Sequence, residues 1–309
     1  MLLERHLRRE ETNMTDFSKP DETRRVSVAG HEVVTYSWGT GNEVVFLLSG
    51  GPGLPCRYLV EPHLRLVDAG YRVVSYDQLG TGQSDRPKDE KLWHVARFAQ
   101  EVETVRKALG LDRYHLIGHS WGGWLGMEYA VTFPDVLASF VIANSAADIQ
   151  HLVSELNRLR NGLGIETVRM MQRREAEWSI DHKEYEAAIT LLNYRHVCRL
   201  DHWPLSLAES VDDWNMDPYM AVQGPNEFLY IGNLKDWSRL DDMASFTEPC
   251  LILCGAHDEM TPNCALRMHR SIPNSEVAVF PNSSHTPFYE EPEMYFARLE
   301  KFLRDHPSR

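Results

Sequence analysis

Few folds can accommodate the five residues Gly118-His119-Ser120-Trp121-Gly122 in their sequence context. The apolar run 114–117 before them reads as a buried strand, and 124–131 after them reads as a helix that ends near Pro134. A chain that passes from strand to helix in so few residues drives neighbouring Cβ atoms together, so glycine is needed on both sides of the turn. The serine at its apex is held in a strained backbone conformation with its hydroxyl over the sheet edge. Amide N–H groups at the start of the following helix point at the same place, where negative charge can be stabilised. Five positions alone are a weak signal, and a structural serine in a glycine-rich turn also fits them. The flanking strand and helix make a nucleophile the stronger reading.

The same beat runs through the chain. Apolar runs at 44–48, 72–76, 114–117, 140–143, 250–254 and 276–280 read as strands, with helical stretches between them, notably 93–109 and 291–305. This alternation predicts an α/β fold with a mostly parallel, doubly wound sheet. Alternation over 32–37 predicts one antiparallel strand ahead of that core. From about 147 to 235 no core strand is evident, and the segment is rich in charge and aromatics, including Trp178, Tyr185, Tyr194, Trp203, Trp214 and Tyr219. It reads as a helical cap inserted into the sheet domain and closing over Ser120. The length of 309 residues fits one large domain with an insertion, or two ordinary domains. The expected organisation is a flexible leader over 1–24, a core from 25–146 and 236–309, and a cap over 147–235. Met14 is a second candidate start.

A serine hydroxyl needs a base, and the base needs an orienting acid. In a sheet of this kind the expected chain order is Ser, then Asp or Glu, then His. Gly255-Ala256-His257-Asp258 follows the apolar run 250–254, and Pro281-Asn282-Ser283-Ser284-His285 follows the run 276–280. Both loops fall at the C-terminal ends of parallel strands, where ligands bind in open α/β sheets. Asp258 and His285 are therefore the expected partners of Ser120, chosen from fourteen histidines by position and order. His257 and His119 each stand beside a better-placed residue. The oxyanion hole is expected from the amide of Trp121 and from Gly51 or Gly50, in the loop Ser49-Gly50-Gly51-Pro52-Gly53 that follows strand 44–48.

Together these motifs resemble the proline iminopeptidase family of α/β-hydrolases, which includes related L-amino acid amidases. The resemblance is carried by Ser49-Gly50-Gly51-Pro52-Gly53, 77–85 (Asp-Gln-Leu-Gly-Thr-Gly-Gln-Ser-Asp), Gly118-His119-Ser120-Trp121-Gly122-Gly123, 224–228 and 255–259. It spans roughly residues 25 to 305 and is least specific in the middle. Ser49 stands where the family usually has histidine, at a position that supports the oxyanion loop. The resemblance implies an α/β-hydrolase fold and a serine hydrolase that removes single N-terminal residues through an acyl-enzyme. It also implies that Glu227 and Glu259 hold the substrate's free α-amino group. A carboxylate pair in a partly dry cleft binds an ammonium strongly and rejects blocked N-termini. A solvated acidic loop is the plain alternative for both glutamates.

Composition narrows the partners. A net charge of −13 lacks the basic footprint that nucleic acid requires. The expected partner is a small peptide or amino-acid amide, with no cofactor and no metal; the oligomeric state is not legible. Five cysteines (Cys56, Cys198, Cys250, Cys254, Cys264) show neither metal-ligand nor disulfide spacing, and free thiols fit a reducing cytoplasm. The opening 1–11 is too charged for a signal peptide or a membrane span. Three other readings remain: an amino-acid amidase with the same triad, an esterase or lactonase, and a ligand receptor on a hydrolase fold. Serine at 120 disfavours dehalogenase or epoxide hydrolase chemistry, which uses aspartate on this fold.

Overall fold

The computed structural model describes residues 16–308. The apolar runs form the centre of one eight-stranded sheet. Its inner strands are β3 (Val44–Leu48), β4 (Arg72–Asp77), β5 (Tyr114–His119), β6 (Leu137–Ala143) and β7 (Cys250–Gly255). They are buried almost without interruption, as strands covered by helices on both faces must be. β8 (Ser275–Phe280) closes one edge. At the other edge, β1 (Glu22–Val28) and β2 (His31–Trp38) form an antiparallel hairpin. Its two-residue turn, Ala29-Gly30, has positive φ at both positions (49° and 82°), the twist that matches paired strands.

The order is β1-β2-β4-β3-β5-β6-β7-β8. From β3 the chain crosses to β4 on one side through α1 (Arg57–His63) and α2 (Arg65–Asp68). It then returns through α3 (Val95–Ala108) to β5 on the other side of β3. That reversal opens a crevice beyond the C-terminal ends of β3 and β5, where ligands bind in doubly wound sheets. α4 (Trp121–Thr132) follows β5 and is buried on nearly every side. Five helices, α5 (Ile149–Asn161), α6 (Ile165–Ala176), α7 (Lys183–His196), α8 (Leu205–Asp212) and α9 (Met216–Val222), lie between β6 and β7. α10 (Pro262–Ser271), α11 (Pro287–Glu290) and α12 (Pro292–Asp305) complete the chain.

The sheet separates two apolar cores. Phe98, Val102, Trp124 and Met268 belong to one face, through α3, α4 and α10. Leu59, Tyr295, Phe296 and Leu299 belong to the other, through α1 and α12. The predicted α/β architecture and its mostly parallel sheet are what the chain adopts. The first strand differs from expectation. Residues 1–15 of the expected leader lie outside the described residues, but its last three residues, Glu22, Thr23 and Arg24, pair with Ser37, Tyr36 and Thr35. Phe17 stacks near Trp38, with ring centroids 5.5 Å apart. The strand escaped a pattern reading because it exposes four residues and buries only Val26 and Val28. Among the described residues no helix is long and apolar enough to cross a membrane.

Asp77, the last residue of β4, ties three segments around the crevice. Its buried carboxylate accepts from Tyr36 Oη (2.9 Å), Cys56 N (3.1 Å) and Gln83 N (2.9 Å). A Cβ on Gly82 would meet this carboxylate at 2.1 Å, so the loop closes on it only with glycine. Asp77→Ala strands two backbone donors and a phenol, and we expect it to cost about 2–4 kcal/mol in urea unfolding.

Candidate active site

The turn after β5 has the geometry that its sequence requires. Ser120 stands at φ 57°, ψ −123°, a positive φ that a side-chain-bearing residue holds only under constraint. A Cβ on Gly118 would sit 2.2 Å from the Gly122 carbonyl oxygen, and one on Gly122 would sit 2.0 Å from the Leu48 carbonyl oxygen. Two hydrogen bonds pin the apex: Ser120 N donates to Ala143 O at 3.0 Å, and Ser145 Oγ donates to Ser120 O at 3.0 Å.

Loops after β7 and β8 bring Asp258 and His285 to the same crevice. His285 Nδ1 lies 2.8 Å from Asp258 Oδ1. A carboxylate only accepts, so Nδ1 carries the hydrogen and Nε2 keeps a free lone pair. Asp258 is itself held by Asn144 Nδ2 (2.7 Å) and Met260 N (2.9 Å). Burial disfavours the charged imidazole of His285, but the charge and hydrogen bond of Asp258, with Glu227 and Glu290 beyond, outweigh it and raise its pKa. His285 and Ser120 line one cavity. No hydrogen bond joins Ser120 Oγ to His285 Nε2 among the described residues; such contacts commonly tighten only when substrate is bound.

The loop after β3 faces the serine from the other side. The Gly50 amide is committed to Tyr58 Oη at 2.7 Å. The amides of Gly51 and Trp121 donate to no protein group among the described residues. Gln78 bridges these two sources of N–H donors. Its Nε2 donates to Ser49 O (3.1 Å) and Ser49 Oγ (3.3 Å), while its Oε1 accepts from Trp121 Nε1 (2.9 Å). Ser49 thus contacts the loop's supporting amide.

Glu259 is 1 % exposed, and neither of its oxygens has a hydrogen-bond partner among the described residues. Its Oε1 lies 3.8 Å from His285 Nε2. Burial first, then the charges of Glu227 and Asp258, raise its pKa well above the carboxylate range. Glu227 lines the cavity and accepts from Gln223 Nε2 at 2.9 Å. Burial raises its pKa too, against the pull of Gln223 and His285. The structure therefore brings together the serine, the aspartate–histidine pair and both glutamates. The cavity itself is small, about 110 Å³, with an apolar side formed by Leu54, Trp203, Leu207, Val211 and Trp214. A larger polar groove at the opposite end of the parallel strands, near Arg24, Arg72 and Arg113, contains no paired nucleophile and base among the described residues.

The segment between β6 and β7 reaches this site through three backbone bonds and the Trp214 side chain. His285 N donates to Val197 O and Glu259 N to His196 O, both at 3.2 Å. Trp214 Nε1 donates to Pro52 O at 2.9 Å and Asn215 N to Gly53 O at 3.0 Å. Sequence reasoning missed Asn144, Gln78 and Tyr58, which act by position alone. Asn144 carries one local clue in sequence, its place directly after the apolar run of β6; in the structure it holds a positive φ of 51°. His119, passed over as a base, is buried and bonds to Tyr58 and to the His285 carbonyl. Among the described residues no group of three or more His, Cys, Asp or Glu side chains is arranged to hold a metal ion.

Residues 43–292 match the α/β-hydrolase fold family model. A proline iminopeptidase from Heyndrickxia coagulans is 35% identical over 264 residues, covering 85% of this chain and 91% of that protein. Two solved structures align over nearly the whole fold. The structure of VinJ has a TM-score of 0.88 at 34% identity, covering 94% of this chain and all of its own. The proline iminopeptidase of Mycobacterium smegmatis has a TM-score of 0.84 at 35% identity, covering 92% and 98%.

The His285 environment sets an expectation for pH. A base must be neutral to accept a proton, and a raised pKa means that it is lost as pH falls from a higher starting point. The acid limb of any His285-dependent turnover should have its midpoint above the ordinary imidazole value of about 6.5. A pH–rate profile with a midpoint below that value contradicts the assignment.

Proposed function

We propose that this chain, which belongs to the proline iminopeptidase family of α/β-hydrolases, is a serine hydrolase that releases an N-terminal residue of the proline type from peptides or amino-acyl amides. The observation that carries this reading is the buried carboxylate pair, Glu227 and Glu259, beside the free nitrogen of His285. An unpartnered buried carboxylate costs free energy unless a cation or a proton offsets it. The α-ammonium of a substrate would supply that cation next to the carbonyl to be cleaved. A general esterase has no use for such a pair.

In this reading Ser120 Oγ attacks the carbonyl carbon of the N-terminal residue while His285 Nε2 takes its proton. Asp258 keeps the imidazole in the Nδ1–H tautomer and stabilises it when charged. The amides of Trp121 and Gly51 receive the developing oxyanion. Gly50 is set aside because Tyr58 already holds its amide. His285 then protonates the leaving amine, and water cleaves the acyl-enzyme by the reverse steps. The segment 147–235 acts as a cap whose backbone bonds to the Asp258–Glu259 and His285 loops couple its position to the assembly of the site. The apolar side of the cavity, between Leu54 and Trp214, fits the uncharged part of the substrate.

Two outcomes test this. Ser120→Ala should lower turnover of prolyl or alanyl arylamides by about 10⁴-fold or more while leaving the melting temperature intact. Activity near wild type would remove Ser120 from the mechanism. Glu227→Gln and Glu259→Gln should each raise KM for free-amine substrates by about 10–100-fold, the loss of one charge-assisted hydrogen bond. N-acetylated substrates should be poor with the wild-type protein; indifference to acetylation would mean an esterase or general amidase instead. Simple amides measured alongside arylamides separate an amidase from a peptidase.

A further inference from the structure

Three loops must keep their spacing for the proposed chemistry: the oxyanion loop at Gly50, the nucleophile turn at His119–Ser120, and the base loop at His285. One chain of hydrogen bonds joins them. Gly50 N donates to Tyr58 Oη at 2.7 Å. Tyr58 Oη lies 2.8 Å from His119 Nδ1, and His119 Nε2 lies 2.8 Å from the carbonyl oxygen of His285, 166 residues away in sequence. Tyr58 and His119 are each 2 % exposed, so water is a poor substitute for any member.

The proton positions follow from the donors and acceptors. A carbonyl oxygen only accepts, so His119 Nε2 carries a hydrogen. Tyr58 Oη accepts from Gly50, and its own hydrogen needs an acceptor. His119 Nδ1 provides one as long as the ring is neutral. A protonated ring would aim a second donor at the Tyr58 oxygen and bury a positive charge 4.7 Å from the His285 ring, centroid to centroid. Burial, and then the neighbouring His285, hold His119 well below the ordinary imidazole pKa, which agrees with this tautomer. Every polar atom in the chain is then satisfied, in one direction only: Gly50 to Tyr58 to His119, with His119 also donating to His285.

Packing presses the same groups together. A Cβ on Gly50 would lie 2.7 Å from Tyr58 Oη and 3.0 Å from Ser120 Cβ. Phe288, on α11 just beyond His285, meets the His119 ring edge to face at 5.1 Å. The Gly50 backbone is thus wedged between the serine and the phenol.

We propose that Tyr58 and His119 are positioning residues, whose hydrogen-bond chain holds the backbone at Gly50, and so the Gly51 amide, in register with Ser120 and with the His285 loop. The proposal rests on the serine hydrolase reading. Neither side chain is assigned a bond to substrate; both act through the oxyanion loop and the base. A donor displaced by about 1 Å at such a site can cost on the order of 10²-fold in rate. The loss should fall on steps that build negative charge at the oxyanion, leaving ground-state binding of the substrate amine unchanged.

The test uses the full chain and a fluorophosphonate label. Ser120 Oγ forms the new P–O bond, fluoride leaves, His285 takes the serine proton, and the phosphoryl oxygen sits where the oxyanion would. A wild-type protein that is not labelled, or a Ser120→Ala protein that is, defeats the underlying serine hydrolase reading and the inference with it. With labelling established at Ser120, Tyr58→Phe and His119→Leu should slow it by about 10–100-fold at unchanged melting temperature, and lower kcat without raising KM. His119→Gln, which can both accept and donate, should stay within about fivefold of wild type. Labelling by Tyr58→Phe within about twofold of wild type overturns the proposal, since a hydrogen bond to a committed amide would then carry none of the expected penalty. Equal slowing by His119→Gln and His119→Leu also overturns it, because the effect would then be packing. If one variant melts early, the other comparison decides.

Discussion

The close approach of the β3 and β5 ends is the constraint from which the site is built. Gly122, at the start of α4, lies so near the Leu48 carbonyl that no side chain fits between them. That contact puts the loop after β3 directly beside the turn after β5, at the point where the sheet reverses its direction of winding. Ser120 is held at positive φ between Gly118 and Gly122, and the local strain persists because strand pairing and the bonds to Ala143 and Ser145 over-determine it. A larger residue at either glycine would clash with the Gly122 or Leu48 carbonyl and displace the turn that holds the serine.

Electrostatics then divide the site into two halves. On one side lie the Trp121 and Gly51 amides, with Gln78 bonded to Ser49 and the Trp121 indole and with Tyr58 bonded to the Gly50 amide and to His119. On the other lie Asp258, Glu259 and Glu227 around a single imidazole. The three carboxylates are not equivalent. Asp258 is satisfied by Asn144, by the Met260 amide and by His285, whereas Glu259 is buried without a hydrogen-bond partner among the described residues. Burial first, and then the neighbouring Glu227 and Asp258, raise the Glu259 pKa and favour its protonated form when no cation lies beside it. In the function we propose, the substrate's ammonium would face the carboxylates and its carbonyl the amides.

The helices between β6 and β7 are part of the same arrangement. Carbonyls of His196 and Val197 accept from the backbone of Glu259 and His285, and the α8–α9 linker grips Pro52 and Gly53. Movement of this segment would therefore disturb donors and carboxylates together, rather than simply uncover them. Arg239 and Trp237, on the return path to β7, anchor it to Glu128 on α4.

The local sequence was sufficient for the parallel sheet, for the strand-to-helix turn at Ser120 and for the loops that carry Asp258 and His285. Strands of continuous apolar residues, and Gly118, whose Cβ would meet the Gly122 carbonyl four residues on, are dictated by neighbours in the chain, and such signals survive without tertiary information; the clash that requires Gly122 is with Leu48, across the sheet. Glu227 and Glu259 were legible only through family motifs, since an acidic residue in a loop looks the same whether solvated or buried. β1 was hidden by its exposed Thr23, Arg24, Arg25 and Ser27, because an edge strand needs little apolar surface. Only the tertiary structure decided that the Gly50 amide is occupied, that Gln78 and Asn144 orient the groups around them, and that His119 links two loops 166 residues apart. Those roles depend on which donor meets which acceptor across the fold. Hydrogen bonding is directional and long-range in sequence, and it leaves no periodicity along the chain to read.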